Sequence, residues 1–202
     1  MIKCKFFDDD VILGLFSQWM EDAKRSELND PNAAVLATAD HTGFPNARAV
    51  LVKSFDKNGF VFYTNTESCK GKEIEGNPRA SLCFHWKSLH RQLRLRGLVE
   101  KCGDSEADLY YSSRSRGSQI GAWSSKQSQQ MVSRDLLNKA VAKYTSLYES
   151  QEILPRPVWW SGFRVRPLYI EFWSEGPDRL HERVVFSRKT ITEKWESLML
   201  YP

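Results

Sequence analysis

The chain of 202 residues lacks the short motifs that mark the common catalytic architectures. No two of its 11 glycines are separated by a single residue, which excludes the G-x-G-x-x-G turn of a dinucleotide-binding βαβ unit. P-loop, H-E-x-x-H and G-x-S-x-G sequences are absent as well. Histidine is scarce. His41, His85, His90 and His181 leave no multi-histidine metal centre, so no metal is expected. Cys4, Cys69, Cys83 and Cys102 lack the close spacing of a zinc site and are too few for a disulfide scaffold, so free thiols in a reducing compartment are expected. No run approaches the ~20 apolar residues of a membrane span. The opening MIKCKFFDDDVILGLF places aspartates where a secretory leader needs an apolar run, and a cytoplasmic location is expected. The 29 basic residues are interleaved with 25 acidic ones for a net charge of +4, which argues against a nucleic-acid partner.

What is present is an ordinary globular composition, 41% hydrophobic and 27% charged. The length suits a single domain spanning 1–202, able to bury roughly 70% of its unfolded surface. Asp8 to Asp10 can cap a helix over 8–28, with Ile12, Leu15, Phe16, Trp19 and Ala23 as its apolar stripe. Strand-like runs follow at Ala33–Ala39, Ala47–Phe55, Phe60–Thr64, Ala80–Trp86 and Gln92–Val99, separated by turn signals. Ser105–Ser113, capped by Ser105, and Gln129–Tyr148 read as helices. The second carries Met131, Leu136, Leu137, Ala140 and Tyr144 as its expected buried stripe. Strands return at Trp160–Val165, Leu168–Trp173, Arg183–Phe186 and Trp195–Leu200. The expected fold is α+β, mainly β, with a barrel core and flanking helices.

Four constellations carry candidate chemistry. Arg48-Ala49-Val50-Leu51-Val52-Lys53 is an apolar strand with a cation at each end, and a buried cation needs an anion. Strict alternation puts the two cations on opposite faces, about 16 Å apart, so only a bulge would let them hold one phosphate. Tyr63-Thr64 runs into a polar turn and a short helix beginning near Lys70, where free backbone N–H groups favour an anion. Tyr110 and Arg114 are four apart on one helical face, and Ser118 opens the next segment after Gly117 breaks the helix, a set suited to a phosphate monoester. Gln127 and Ser128 add groups able to read a heterocycle edge. Arg179, His181 and Arg183 alternate, so on a strand they share one face beyond Trp173. Solvated strand ends, an ordinary turn, a basic helix end and a charged edge strand explain the four patterns without a ligand.

Taken in order, the stretches RAVLVK, FYTN, NPRASLCFHW, RQLRLRG, SRSRGSQIGAWSSKQS and EFWSEGPDRLHER resemble the pyridoxamine 5′-phosphate oxidase family. The resemblance runs from about Asn32 to Pro202. It implies an FMN-binding split β-barrel that forms a homodimer through C-terminal strands within 158–202, with FMN at the interface. It implies FMN contacts from Arg48 through Lys53, Tyr63, Thr64, Lys70, Gln92, Gln127, Ser128, Trp173 and Arg183, some from the partner chain. The substrate phosphate would be met by Lys53, Tyr110, Arg114 and Ser118, while Arg179, Leu180 and His181 would face a pyridine ring. The implied activity is oxidation of pyridoxamine or pyridoxine 5′-phosphate to pyridoxal 5′-phosphate, with oxygen reduced to hydrogen peroxide. A split-barrel reductase of another small molecule and a non-catalytic carrier of pyridoxal phosphate or flavin are the competing readings. Three positions depart from the family pattern: Cys69 stands at a frequent arginine, Ser115 at a frequent proline and Ser161 at a frequent glycine. The family's N-terminal lid contacts have no counterpart expected here.

Overall fold

The structure, a computed structural model, describes residues 5–202; Cys4 lies outside that range. Its elements in chain order are β1 (Lys5–Phe7), α1 (Asp9–Ser26), β2 (Ala33–Ala39), β3 (Pro45–Asp56), β4 (Gly59–Asn65), α2 (Cys69–Gly76) and β5 (Arg79–Trp86). There follow β6 (Arg91–Lys101), α3 (Asp104–Ser112), α4 (Arg116–Ser124), α5 (Arg134–Leu147), β7 (Trp160–Ser174), β8 (Glu182–Ser187) and β9 (Trp195–Met199). Strands pair antiparallel in the order β1-β9-β8-β7-β4-β3-β2-β5-β6, and a further β6–β7 pairing closes β7-β4-β3-β2-β5-β6 into a barrel. The expected β-barrel with flanking helices is therefore present.

Alternation builds the core. Leu36, Phe62, Leu82, Phe84, Leu93, Leu95 and Val165 are fully buried inside the barrel. The amphipathic helix α1 plugs one side with Phe16, whose ring meets Phe55, Phe60 and Phe84 edge-on at 4.5, 4.9 and 5.5 Å. The buried stripe of α1 is Ile12, Phe16, Met20 and Ala23; Leu15 is exposed and Trp19 only half-buried. Asp8 occupies the cap position without a capping side-chain bond, and Asp9 instead accepts from Trp195 Nε1 at 2.7 Å.

The longest strand corrects the expectation of two. Residues 160–174 form one element, pairing with β4 through its first half and with β8 through its second. Pro167 falls between the halves, where its missing N–H costs no ladder bond. Opposite it, the register with β6 shifts between Arg96 and Gly97. A side chain at Gly97 would strike Arg166 O at 1.9 Å, so only glycine permits that approach. The third helix begins at Asp104 after Gly103 rather than being capped by Ser105. α5 starts at Arg134, not Gln129; Leu137, Ala140 and Tyr144 are half-buried, whereas Met131 and Leu136 are exposed.

The β3–β4 hairpin turns on Asp56, whose Oδ1 accepts from Asn58 N at 2.8 Å and Gly59 N at 3.2 Å. Gly59 has φ +135°, and a Cβ there would lie 2.2 Å from Val165 O. Gly59→Ala should cost roughly 1–3 kcal/mol of stability. A urea midpoint unchanged from wild type would refute this account of the turn.

Candidate functional site

An open cleft of about 510 Å³ lies beside the outer surface of β3 and β4, walled on its far side by α3 and α4. Ala49, Val50, Leu51 and Lys53 line it from β3, Tyr63 and Thr64 from β4, and Lys70 from α2. Tyr110, Arg114, Ser115, Ser118, Gln127 and Trp160 complete the wall. No aspartate or glutamate appears among them.

Lys53 lines the cleft beside Ala49 and Leu51, the face that strand alternation gives all three, and the β3–β4 register shifts next to it between Val52 and Ser54. Arg48 falls on the other face, as the same alternation requires. Val52 stays in the core. Arg48 is not a lining residue. Its guanidinium is held by Glu73 at 2.9 Å and by the Thr38 hydroxyl, beneath α2.

Lys70 follows the Ser68 N-cap of α2 and is buried. Its ammonium meets only neutral oxygens: Thr64 Oγ1 at 3.3 Å, Ser68 Oγ at 3.4 Å and Gln127 Oε1 at 3.2 Å. Burial, helped by the nearby Arg48 charge, pulls its pKa below the usual lysine value. Arg114 is half-buried and lacks a counter-charge as well. It forms no ion pair among the described residues, and its Nη1 is buried without a hydrogen-bond partner. Burial lowers its pKa too.

Arg114 does not share a helical face with Tyr110. α3 ends at Ser112, and Arg114 sits in the turn before α4, its N–H donating to Tyr111 O at 3.2 Å. Gly117 does not break the helix either, since it lies inside α4, which Ser115 caps by accepting from Ser118 N at 3.4 Å. The two residues still reach one cleft because the turn folds back over α3. Tyr63 and Tyr110 stack at 3.9 Å, and burial raises both phenol pKa values, that of Tyr63 to about 12, so both hydroxyls stay protonated donors at neutral pH. Ser115 and Trp160 are lining residues the sequence reading passed over; only the Ser115-x-x-Ser118 capping spacing could have flagged the first.

The remaining candidates form a second group. Gln92, Trp173 and Arg183 are cross-strand neighbours on β6, β7 and β8. Arg179 and His181 are not on the strand with Arg183: they sit in the preceding turn, where Arg179 has φ +64°. His181 Nδ1 accepts from Gly176 N at 3.3 Å, and its ring lies 4.6 Å from Trp173; Leu180 beside it is exposed. Beneath this group, buried Glu171 accepts from Arg94 at 2.5 Å, Arg183 at 2.8 Å and Tyr169 at 2.7 Å. Burial opposes its charge, but hydrogen bonds from Arg183, Tyr169 and Arg94 outweigh it and bring the pKa down to about 2. None of Gln92, Trp173, Arg179, Leu180, His181 and Arg183 lines the cleft, and neither does Ser128, which borders it beside Gln127 with φ +70°.

A closed antiparallel barrel flanked by helices, with an acid-free cationic cleft on its outer wall, defines a split-barrel protein whose cleft suits an anionic ligand. Comparison with known proteins narrows the class. Residues 20–148 match the family model for pyridoxamine 5′-phosphate oxidase, and residues 160–202 match that for the pyridoxine 5′-phosphate oxidase C-terminal dimerisation region. The pyridoxine/pyridoxamine 5′-phosphate oxidase of Allorhizobium ampelinum is 56% identical over 197 residues, covering 98% of this chain and 95% of that one. The protein of the same name from Brucella canis is 59% identical over 188 residues, covering 93% and 92%. Among solved structures, PhzG from Burkholderia lata, in complex with tetrahydrophenazine-1-carboxylic acid, superposes with a TM-score of 0.88 at 30% identity, covering 95% and 92%. The chain belongs to the pyridoxamine 5′-phosphate oxidase family.

Two outcomes test the electrostatics. Lys70→Met removes a buried cation that has no acidic partner, so the ligand-free protein should melt no lower than wild type while losing affinity for phosphate-bearing ligands at least tenfold. Thermal melts with and without ligand read both; a lower melting point without ligand would show that Lys70 is structurally paired. Because the folded pKa of Glu171 lies below the ordinary 4.5, its contribution to stability is complete above about pH 4.5 and is lost as pH falls toward 2. Glu171→Gln should therefore flatten the acid limb of the stability–pH profile by roughly 3 kcal/mol; an unchanged limb would remove Glu171 from acid unfolding.

Proposed function

We propose that the protein is an FMN-dependent oxidase converting pyridoxamine or pyridoxine 5′-phosphate to pyridoxal 5′-phosphate, with oxygen as the electron acceptor and hydrogen peroxide as product. The observation that carries the reading is a pair of cations without ion pairs, buried Lys70 and half-buried Arg114, facing one acid-free cleft. Two phosphate monoesters, one on the cofactor and one on the substrate, satisfy both. The match to family models and the high identity to named oxidases support the same assignment.

The residues fit FMN by their donor chemistry. Lys70, Thr64 and Gln127 would hold its phosphate, with the β3 segment Arg48–Lys53 and Tyr63 alongside; Arg48 would act through its charge, since Glu73 occupies its guanidinium. Bound FMN supplies a two-electron acceptor for the hydride leaving the substrate's C4′ carbon. Lys53, Tyr110, Arg114 and Ser118 would grip the substrate phosphate and fix the distance from that phosphate to the reacting carbon. Arg179, Leu180 and His181 would cover the pyridine ring, and Gln92, Ser128, Trp173 and Arg183 would complete the cofactor shell. The cleft contains no nucleophile–base pair, and an oxidation of this kind needs none.

Both groups of residues can serve one ligand only if two chains meet. Trp160 in the cleft and Trp173 in the second group stand thirteen residues apart on β7, roughly 40 Å along an extended strand. A homodimer would place the second group of one chain over the cleft of the other, with FMN between them. The match of residues 160–202 to a dimerisation region supports this arrangement, as do the exposed Val35 and Leu51 on the outer barrel wall. A cytoplasmic location belongs to the same reading.

The deciding experiment is anaerobic reduction of the flavin-loaded protein by pyridoxamine 5′-phosphate, followed by air. Bleaching near ~450 nm, then recovery with peroxide release, is expected; tetrahydrophenazine-1-carboxylic acid, the ligand of PhzG, is the competitor to run beside it. No bleaching by the phosphorylated amine would overturn the proposal. Arg114→Ala should weaken that substrate by roughly 10- to 150-fold, measured as KM, and unchanged KM would remove Arg114 from the phosphate site.

A further inference from the structure

A half-buried guanidinium without a carboxylate still has to be held in one place. Arg114 lies in a short turn between two helices, where its long side chain would otherwise sample several rotamers. Its side chain makes no ion pair among the described residues. What it does touch is aromatic. Its guanidinium carbon lies 4.8 Å from the centroid of the Trp160 ring and 5.8 Å from that of Tyr111.

Trp160 is well placed to act as a fixed plate. It is only 6% exposed. Its ring lies nearly parallel to Tyr63 at 5.4 Å and 11°, and to Tyr110 at 6.1 Å and 7°, while Tyr111 meets it edge-on at 5.1 Å and 67°. The backbone is pinned as well: its N–H donates to Pro157 O at 3.0 Å, and its carbonyl accepts from Arg156 Nη1 at 2.7 Å.

The alternative way to fix an arginine is a carboxylate, and the rest of this chain uses it: Glu171 holds Arg94 and Arg183, and Glu106 holds Arg164. A carboxylate at Arg114 would occupy its donors and neutralise the charge that a phosphate has to find. An aromatic face does neither. It orients the planar group through the ring quadrupole and leaves the N–H donors free.

We infer that Trp160 is a positioning residue that sets the protein's preference for phosphorylated substrate, by holding the Arg114 guanidinium against its ring with every donor uncommitted. The inference rests on the oxidase reading and deepens it. Trp160 acts through Arg114, so its effect belongs to the phosphate and not to the ring being oxidised.

The test uses FMN-loaded Trp160→Leu and Trp160→Phe proteins and compares equilibrium binding of pyridoxal 5′-phosphate with that of pyridoxal. Trp160→Leu should weaken the phosphorylated compound about tenfold, equivalent to about 1.4 kcal/mol, and leave the weaker binding of pyridoxal within twofold. Trp160→Phe, which keeps a smaller aromatic face, should fall between. In an Arg114→Gln background, neither substitution at Trp160 should cost anything further. In turnover, the rise in KM for pyridoxamine 5′-phosphate should exceed any fall in kcat. Equal losses for both compounds, or full additivity with Arg114→Gln, would overturn the inference, because a merely structural tryptophan would produce them. Should the leucine variant fail to fold, the phenylalanine variant and its double mutant decide alone. Wild-type protein that bound neither compound would sink the oxidase reading; wild-type binding that Trp160→Leu and Trp160→Phe left unchanged would sink this inference only.

Discussion

The structure turns on cations taken out of water without a carboxylate to meet them. Lys70 and Arg114 are both withdrawn from solvent, and each is left facing neutral oxygens or aromatic rings. A side chain in that state is costly to the folded protein, because desolvation is not repaid by an internal ion pair. The chain does not lack acids to spend on them. Glu73 pairs with Arg48 only a turn of helix away from Lys70, and Glu171 gathers two arginines and a tyrosine. Leaving these two withdrawn cations without a carboxylate while pairing Arg48 nearby is therefore a local exception. Exceptions of that kind belong to binding sites, where the missing counter-charge arrives with the ligand.

The barrel is what makes the exception tolerable. β3 and β4 present their outer surface to the cleft while their inner surface carries Val52, Phe60 and Phe62 into a fully buried core. The rigid wall comes from that core and not from the site, so polar strain at the wall need not loosen the packing behind it. Alternation along β3 carries a third cation, Lys53, to the cleft side with Ala49 and Leu51, while Arg48 and Val52 take the other side. β7 then ties the cleft to the second group of residues, starting at Trp160 and ending beside Trp173.

Much of this was legible in the sequence. Alternation located β2 to the residue and the other barrel strands to within a few positions, because one face of each strand packs into a closed core. The cleft residues of β3, β4 and α2 followed from cations and hydroxyls at strand ends. What escaped was set by distant contacts. Pro167 looks like a strand terminator in one dimension; only the change of partner from β4 to β8 shows that its missing donor is harmless. Arg114 looked helical because four-residue spacing cannot distinguish a helix from a turn that folds back on one. Arg179 and His181 alternate with Arg183 in sequence, yet the left-handed backbone at Asp178 and Arg179 puts them on a turn. The exposed apolar side chains of Met131 and Leu136 contradict an amphipathic reading made for a chain packing only on itself. Trp160 carried no local signal at all, since its role depends on three tyrosines from two other elements.

On the proposed assembly, ligand binding and chain association become one equilibrium. A phosphate bound to Lys70 or Arg114 removes a desolvation cost that the free chain carries, so it stabilises the folded state beyond what its contacts alone contribute. If the partner's second group covers the same ligand, binding also favours the dimer by the same free energy with which the dimer favours binding. Unpaired cations then serve two purposes. They leave the empty cleft with an unmet desolvation cost, and on that assembly a phosphorylated cofactor would relieve it while joining the two chains.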